Sequence, residues 1–285
     1  MKMLLLLILQ LLVGSAVAYQ ARQEPPPPQP GRIGGVQRQD VLAIEGASPS
    51  ETDAWDKISR AEDVKKKGEL ALEYLKKYPQ GVFVPYVHGI LAMLYEEKND
   101  TDRFIEHAEL SLKSLPDEVN LLASLSVKYA EKQMPNEAIQ YGEAALSILP
   151  TAQRPEAVSV ERWEEIRVLL TSDAHYGVGT GYLFRAFNSP GNAQLMTTAT
   201  DHLVKSVEKK PSGQAAQFRL GFAYDLQNQP EKAIPCYASA AALKGPNAGA
   251  ARQYLENAYQ KVHGNTKGVD KLISQEKKRL EAGSR

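Results

Sequence analysis

Residues 116–150 read PDEVNLLASLSVKYAEKQMPNEAIQYGEAALSILP, and the spacing inside this stretch recurs on both sides of it. The bounding prolines, Pro116 and Pro150, are 34 residues apart (150 − 116 = 34), and Tyr129 stands 34 residues after Tyr95 (129 − 95 = 34). A 34-residue period is the mark of stacked helical hairpins, each of which buries its apolar face only against its neighbours. The expected fold is therefore all-α, an αα-hairpin solenoid.

Working outward, the sequence predicts hairpins near 51–79, 85–116, 119–150, 172–211 and 214–246, with a polar terminal cap at 249–282. Ser50-x-x-Asp53 has the form of a capping box ahead of Trp55, Ile58 and Ala61, so a degenerate first hairpin opens the array. Asn99 to Asp102 supplies cap residues, and Pro135 falls near the first turn of a helix, where a missing N–H is harmless. Pro230 stands six residues after Tyr224, as Pro135 stands six after Tyr129, so the turn chemistry repeats. The rhythm slips once: Tyr182 follows Tyr129 by 53 residues, which is 34 plus 19. The inserted piece, residues 151–171, carries Val160, Trp163, Ile166 and Leu170 at helical spacing and reads as an N-terminal extension of the next first helix. At 1.5 Å per residue, 19 residues reach about 28 Å, enough to project from the array or pack along it.

The run Leu220-Gly221-x-x-Tyr224, then Ala233-x3-Tyr237-x2-Ala240, resembles the tetratricopeptide repeat. Tyr129, Ala138, Ala145 and Pro150 carry the same pattern in the central unit, Tyr95 and Pro116 in the one before it, and Gly179, Tyr182, Ala199 and Pro211 in the interrupted one. The resemblance runs from about Trp55 to the end. It departs from the family in lacking the first-helix tryptophan in every copy, in Phe104 replacing a small residue, and in the insertion. It implies a right-handed superhelix of about four to five repeats, of the secreted bacterial type, that binds a protein or peptide partner as an adaptor or assembly scaffold. The alternative it leaves is a regulatory or ligand-holding subunit of an envelope enzyme complex.

The resemblance also implies a binding groove. Leu220, Gly221 and Tyr224 mark the core side of their helix, and at 100° per residue Phe218 and Phe222 fall on another face about 130° away. In proteins similar to this one that face of each first helix lines the concave groove. The equivalent positions are Gly89 and Met93, Ala123 and Val127, Tyr176 and Thr180, and Gln253 and Asn257. The candidate groove is thus Met93, Val127, Tyr176, Thr180, Phe218, Phe222, Gln253 and Asn257, apolar in its middle, without the lysine and asparagine pattern with which some relatives clamp a terminal carboxylate. Two readings of Phe218 and Phe222 stay open: anchors for an apolar segment, or packing between adjacent first helices.

Before the array, Met1 to Met3, the apolar run Leu4 to Val13 and Ala16-x-Ala18 read as a secretory signal at 1–18, cleaved after Ala18. Its apolar run is too short to span a bilayer, so the expectation is an exported protein, periplasmic or extracellular, with no stable membrane span. Residues 19–50, with Pro25 to Pro28, Pro30, Gly31, Gly34 and Gly35, read as a disordered linker, a spacer or a ligand for an aromatic groove. Residues 51–285 form the repeat domain. Lysine plus arginine equals aspartate plus glutamate at 34 each, so no overall field draws nucleic acid.

No catalytic chemistry, cofactor or metal is expected. Gly177-Val-Gly-Thr-Gly181 looks like part of a phosphate-cradling loop but lacks the following lysine and a preceding strand, so it reads as a helix with small packing residues, with a local bend as a second possibility. His88, His107, His175, His202 and His263 show no metal-binding spacing. Glu96-Glu97 and Glu164-Glu165 read as solvated helix faces, and the single cysteine, Cys236, as a buried thiol.

Overall fold

A computed structural model of the chain describes residues 32–33, 36–37, 46–155, 158–189 and 191–282; the leader at 1–18 and most of the linker at 19–50 lie outside the described residues. In the described part of the linker, β1 (Arg32–Ile33) and β2 (Val36–Gln37) pair antiparallel, Ile33 opposite Val36.

Everything else regular is helix, arranged as six sequential hairpins among the described residues. They are α1 (Pro49–Arg60) with α2 (Val64–Lys77), α3 (Val84–Glu97) with α4 (Thr101–Leu112), and α5 (Val119–Glu131) with α6 (Pro135–Ile148). Then come α7 (Val160–Asn188) with α8 (Ala193–Lys209), α9 (Gln214–Leu226) with α10 (Pro230–Ala242), and α11 (Ala248–His263) with α12 (Val269–Ala282). The first cap lies two residues earlier than the capping-box reading placed it: Ser48, not Ser50, accepts from the Glu51 N–H, and Pro49 occupies the first turn. Asp63, Asp100, Ser159 and Asn192 cap later helices in the same way.

The turns inside the hairpins repeat to the residue. Asn99, Gln133 and Asn228 are all left-handed (φ 60°, 58° and 55°), each four residues after its repeat tyrosine. The next N–H in each case reaches back to that tyrosine's carbonyl at 2.9 Å, Asp100 to Tyr95, Met134 to Tyr129 and Gln229 to Tyr224. This ends the first helix and starts the second in one turn. The interrupted unit has no such turn after Tyr182, because α7 runs on to Asn188.

Within each hairpin the two helices meet at one first-helix position, occupied by Ala92, Ser126, Gly179 and Gly221 in successive units. Opposite the two glycines stand large side chains: a Cβ on Gly179 would stand 2.9 Å from Leu203, and one on Gly221 2.8 Å from the Tyr237 ring. Ser126 donates its hydroxyl to the Ala138 carbonyl at 2.7 Å, so even the polar member is satisfied by its own second helix.

The 29-residue α7 is the hub, packing on α5, α6 and α8. Its glycines face three ways. A Cβ on Gly177 would lie 2.8 Å from the Ser126 backbone on α5; one on Gly181 would lie 2.9 Å from the Pro135 carbonyl on α6; one on Gly179 would lie 3.0 Å from the Leu203 nitrogen on α8. The helix continues unbroken through the stretch, so the glycines serve close approach rather than a phosphate loop. At the front of α7, Trp163 and Ile166 are buried with Val158 and the half-buried Ala152, so the extension packs on its own incoming segment.

Gly177→Ala should therefore destabilise the protein by about 1–3 kcal/mol through overpacking, although alanine favours helix by roughly 1 kcal/mol. Gly249→Ala on α11, where a Cβ meets nothing within 4 Å, should instead be neutral or slightly stabilising. Urea unfolding of both variants checks the pair.

Candidate functional site

The successive first helices present a strip of charge, and it is built from residues adjacent to those the periodicity selected. On α5, Lys128 lies buried with its ammonium 3.9 Å from both Glu96 of α3 and Glu131 of its own helix. Ser124 donates to the second oxygen of Glu96 at 3.5 Å. On α7, Asp173, Tyr176 and Thr180 follow one another along one face, and Arg219 of α9, only 6% exposed, lays its guanidinium over the Phe184 ring at 5.4 Å. The field of Arg219 reaches Glu131 and Tyr176, so the strip is continuous from α3 to α9.

Burial sets the electrostatics of the strip. Loss of hydration raises the carboxyls of Glu96, Glu131 and Asp173 above the usual range; Lys128 pulls all three back, behind Lys210 at Asp173, and Asp173 in turn raises both glutamates. The Tyr176 hydroxyl is raised chiefly by burial, with Arg219 opposing. Arg219 Nη1 is buried with no hydrogen-bond partner among the described residues, while the Arg219 and Thr180 side chains both turn to the Tyr176 hydroxyl and oppose the rise of its pKa. Buried donors are almost always paired, and a guanidinium N–H costs more to strand than a neutral one.

Of the eight groove residues selected from the sequence, the structure brings only Tyr176 and Thr180 into this strip. Phe218 and Phe222 are turned into the core (4% and 5% exposed), where Tyr254 of α11 closes over both edge-on, with ring centroids at 5.5 and 6.1 Å. Of the two readings of these phenylalanines, the geometry is that of packing between first helices. Met93, Gln253 and Asn257 are exposed and Val127 is half-buried, so they frame the face rather than line a common pocket. The expected apolar middle is replaced by Lys128, Glu131, Asp173 and Arg219. The reason is angular: Lys128 and Arg219 follow the selected Val127 and Phe218 by one residue, a 100° turn that carries each to a different face. Glu96 is likewise not a solvated glutamate but a partner of Lys128. The mixed signs of Lys128, Glu131 and Arg219 on one first-helix face are the signal in the sequence that marks this strip.

Cys236 is buried, its thiol bonded to the Lys232 carbonyl at 3.4 Å and pushed up by burial to about 12, which makes it a poor nucleophile. Among the described residues no group of three or more His, Cys, Asp or Glu converges as a metal site, and no helix is long and apolar enough to cross a membrane.

Removing the central cation by Lys128→Met should destabilise the fold by about 1–3 kcal/mol at pH 8 and by less at pH 5.5. Glu96 and Glu131 have folded-state pKa values raised by burial, and without Lys128 these rise further, so the folded variant takes up protons as pH falls and recovers stability. Paired urea titrations of parent and variant at the two pH values read this difference.

No protein-family model matches the sequence, and no curated protein matches it. Among solved structures the chain is similar to a crystal structure of MamA protein, at 20% identity and TM-score 0.44 over 71% of this chain and 94% of that one. It is similar to a second MamA crystal structure at 21% identity and TM-score 0.43, over 68% and 96%, and to MamA MSR-1 C2 at 15% identity and TM-score 0.45, over 74% and 99%. With TM-scores below 0.5 these superpositions are partial, and the functional reading rests on this chain's own residues.

Proposed function

We propose that the protein is an exported adaptor or assembly scaffold that binds a protein partner through the charged face of its first helices. The observation that carries this reading is the buried, unpartnered Arg219 Nη1, set beside Tyr176 and Thr180 and flanked by Glu131 and Asp173. A partner that brings a hydrogen-bond acceptor to Arg219 would satisfy the donor that folding leaves stranded, and buried arginines are frequent energetic centres of interfaces. Mixed charge on both sides of the strip suits recognition by complementarity and disfavours partners of the wrong pattern. A stacked-hairpin array favours such a role because it offers one long face built from equivalent positions. Export is supported by the leader-like residues Met1 to Ala18 alone. The role proposed is binding, not a reaction.

The test is retention of envelope proteins from the native host on the immobilised full chain, compared with Arg219→Gln and with Arg252→Gln, an equal charge change on the exposed face of α11. Circular dichroism comes first, to establish that both variants fold. The expected result is a partner held by the parent and by Arg252→Gln, at least about tenfold weaker on Arg219→Gln and weakened by salt. Equal retention on all three, or none on the parent, would remove the strip from consideration.

A further inference from the structure

His88 on α3 and His107 on α4 meet with their Nδ1 atoms 2.8 Å apart, and His175 on α7 and His202 on α8 meet in the same way at 3.0 Å. Ring centroids are 5.0 Å apart in both pairs. The pairs share one repeat position. On the first helices, 88 + 34 + 34 + 19 = 175; on the second, His107 precedes Tyr141 by 34, and Tyr141 precedes His202 by the same 61 residues that separate Ala138 from Ala199. The central hairpin fills this position with Leu122 and Tyr141, which share one apolar cluster.

At these separations a single proton lies between the two nitrogens: one Nδ1–H donates and the other Nδ1 accepts. A first added proton enters on the remote Nε2 of the donor ring and leaves the bond charge-assisted. A second must go onto the accepting Nδ1, which sets two N–H groups and two positive charges face to face and forces the rings apart. We propose that the two histidine pairs are proton-limited latches, which hold α3 to α4 and α7 to α8 at neutral pH and release them on acidification, while the central hairpin α5–α6 is indifferent to pH at this position.

The surroundings act in the same direction. Burial is the largest influence on all four rings and lowers each; with its partner histidine adding to the effect, His88 and His175 fall to about 4. Lys113 faces His88, Arg103 faces His107, and Lys205 and Lys209 face His175, with Lys205 also near His202. Glu106 opposes them at the first pair, and Glu143 of α6 and Asp201 at the second, without reversing the direction. Tyr95 stacks on His107 at 5.3 Å and Tyr182 lies over His202 at 6.3 Å, fixing one ring of each pair in place.

The sign follows from linkage. An unfolded histidine takes its proton near pH 6.5, whereas in the folded pairs His88 and His175 take theirs only near pH 4, so the unfolded state binds more protons between these values. The latch contribution is complete above pH 6.5 and lost as pH falls toward 4. The half-buried acids Glu96, Glu131, Asp173 and Glu118, the last raised to about 7, act oppositely, because their folded forms bind more protons. The parent's own pH profile mixes both effects, and only a difference between variants isolates the latches.

The double variants His88→Leu/His107→Tyr and His175→Leu/His202→Tyr copy the central hairpin into each latch. Urea unfolding at pH 7.5 and 4.5 should show the parent's unfolding constant rising relative to each double variant by at least about tenfold over this interval. A parent-to-variant difference that stays constant with pH overturns the proposal. If neither double variant folds, the imidazole 15N signals of the parent decide. In each pair one ring should stay neutral down to about pH 4.5, well below the usual histidine value. Titration of all four paired rings near pH 6.5 overturns the proposal equally.

Discussion

Helix α7 has to touch three helices at once, and backbone approach closer than a side chain permits is the constraint from which the rest of the array follows. Gly177 admits the α5 backbone, Gly181 the first turn of α6, and Gly179 the body of α8. Three glycines in a helix interior cost roughly 1 kcal/mol each in propensity, a penalty offset by the dispersion and burial that the close packing makes available. The unit with the longest helix and the lost register is thus the one that joins the two halves of the array. Trp163 and Ile166, in the extension, are buried where they meet the chain arriving from α6.

Around this hub the regular units vary one theme. In three of them a small first-helix residue faces a second-helix residue of complementary size: Ser126 against Gly142, Gly179 against Leu203 and Gly221 against Tyr237. Tyrosines tie hairpin to hairpin: Tyr129 donates to Glu109 on α4, and Tyr182 donates at 3.2 Å to Glu143 on α6, the same position 34 residues on. Once cores and ties are assigned in this way, the face left to the first helices carries Lys128, Glu131, Asp173 and Arg219. The position between the two helices of a hairpin is left to either an apolar pair or a histidine pair.

The architecture was legible because it depends on period, and period survives in residue types: Tyr95, Tyr129 and Tyr224 recur at equivalent places ahead of three turns. The insertion was legible for the same reason, since Tyr182 is displaced by a definite 19 residues. The charged face was less so. A helix turns 100° per residue, and choosing Phe218 rather than Arg219 as the face residue requires knowing that Tyr254, contributed by the next hairpin, covers the phenylalanines. No pattern within one repeat contains that contact. Glu96 was misplaced on the surface because its partner Lys128 lies on a different helix, 32 residues away (128 − 96 = 32). The histidine pairs were within reach of the sequence: aligning the interrupted unit puts His88 over His175 and His107 over His202, but inspection for ligand spacing along the chain does not reveal a pair formed across two helices.

Native-state hydrogen exchange of the backbone amides of α7, followed from Ser172 to Leu183, tests the central claim most directly, because closely packed helices exchange only through the larger openings of the molecule. If the glycine track joins the halves of the array, these amides should be the slowest in the protein and should exchange with the free energy of global unfolding, while those of α1 and α12 exchange through smaller, local openings. Exchange of the α7 amides as fast as those of the terminal helices, or at a free energy well below the global value, would contradict the account and place the structural centre of the array elsewhere.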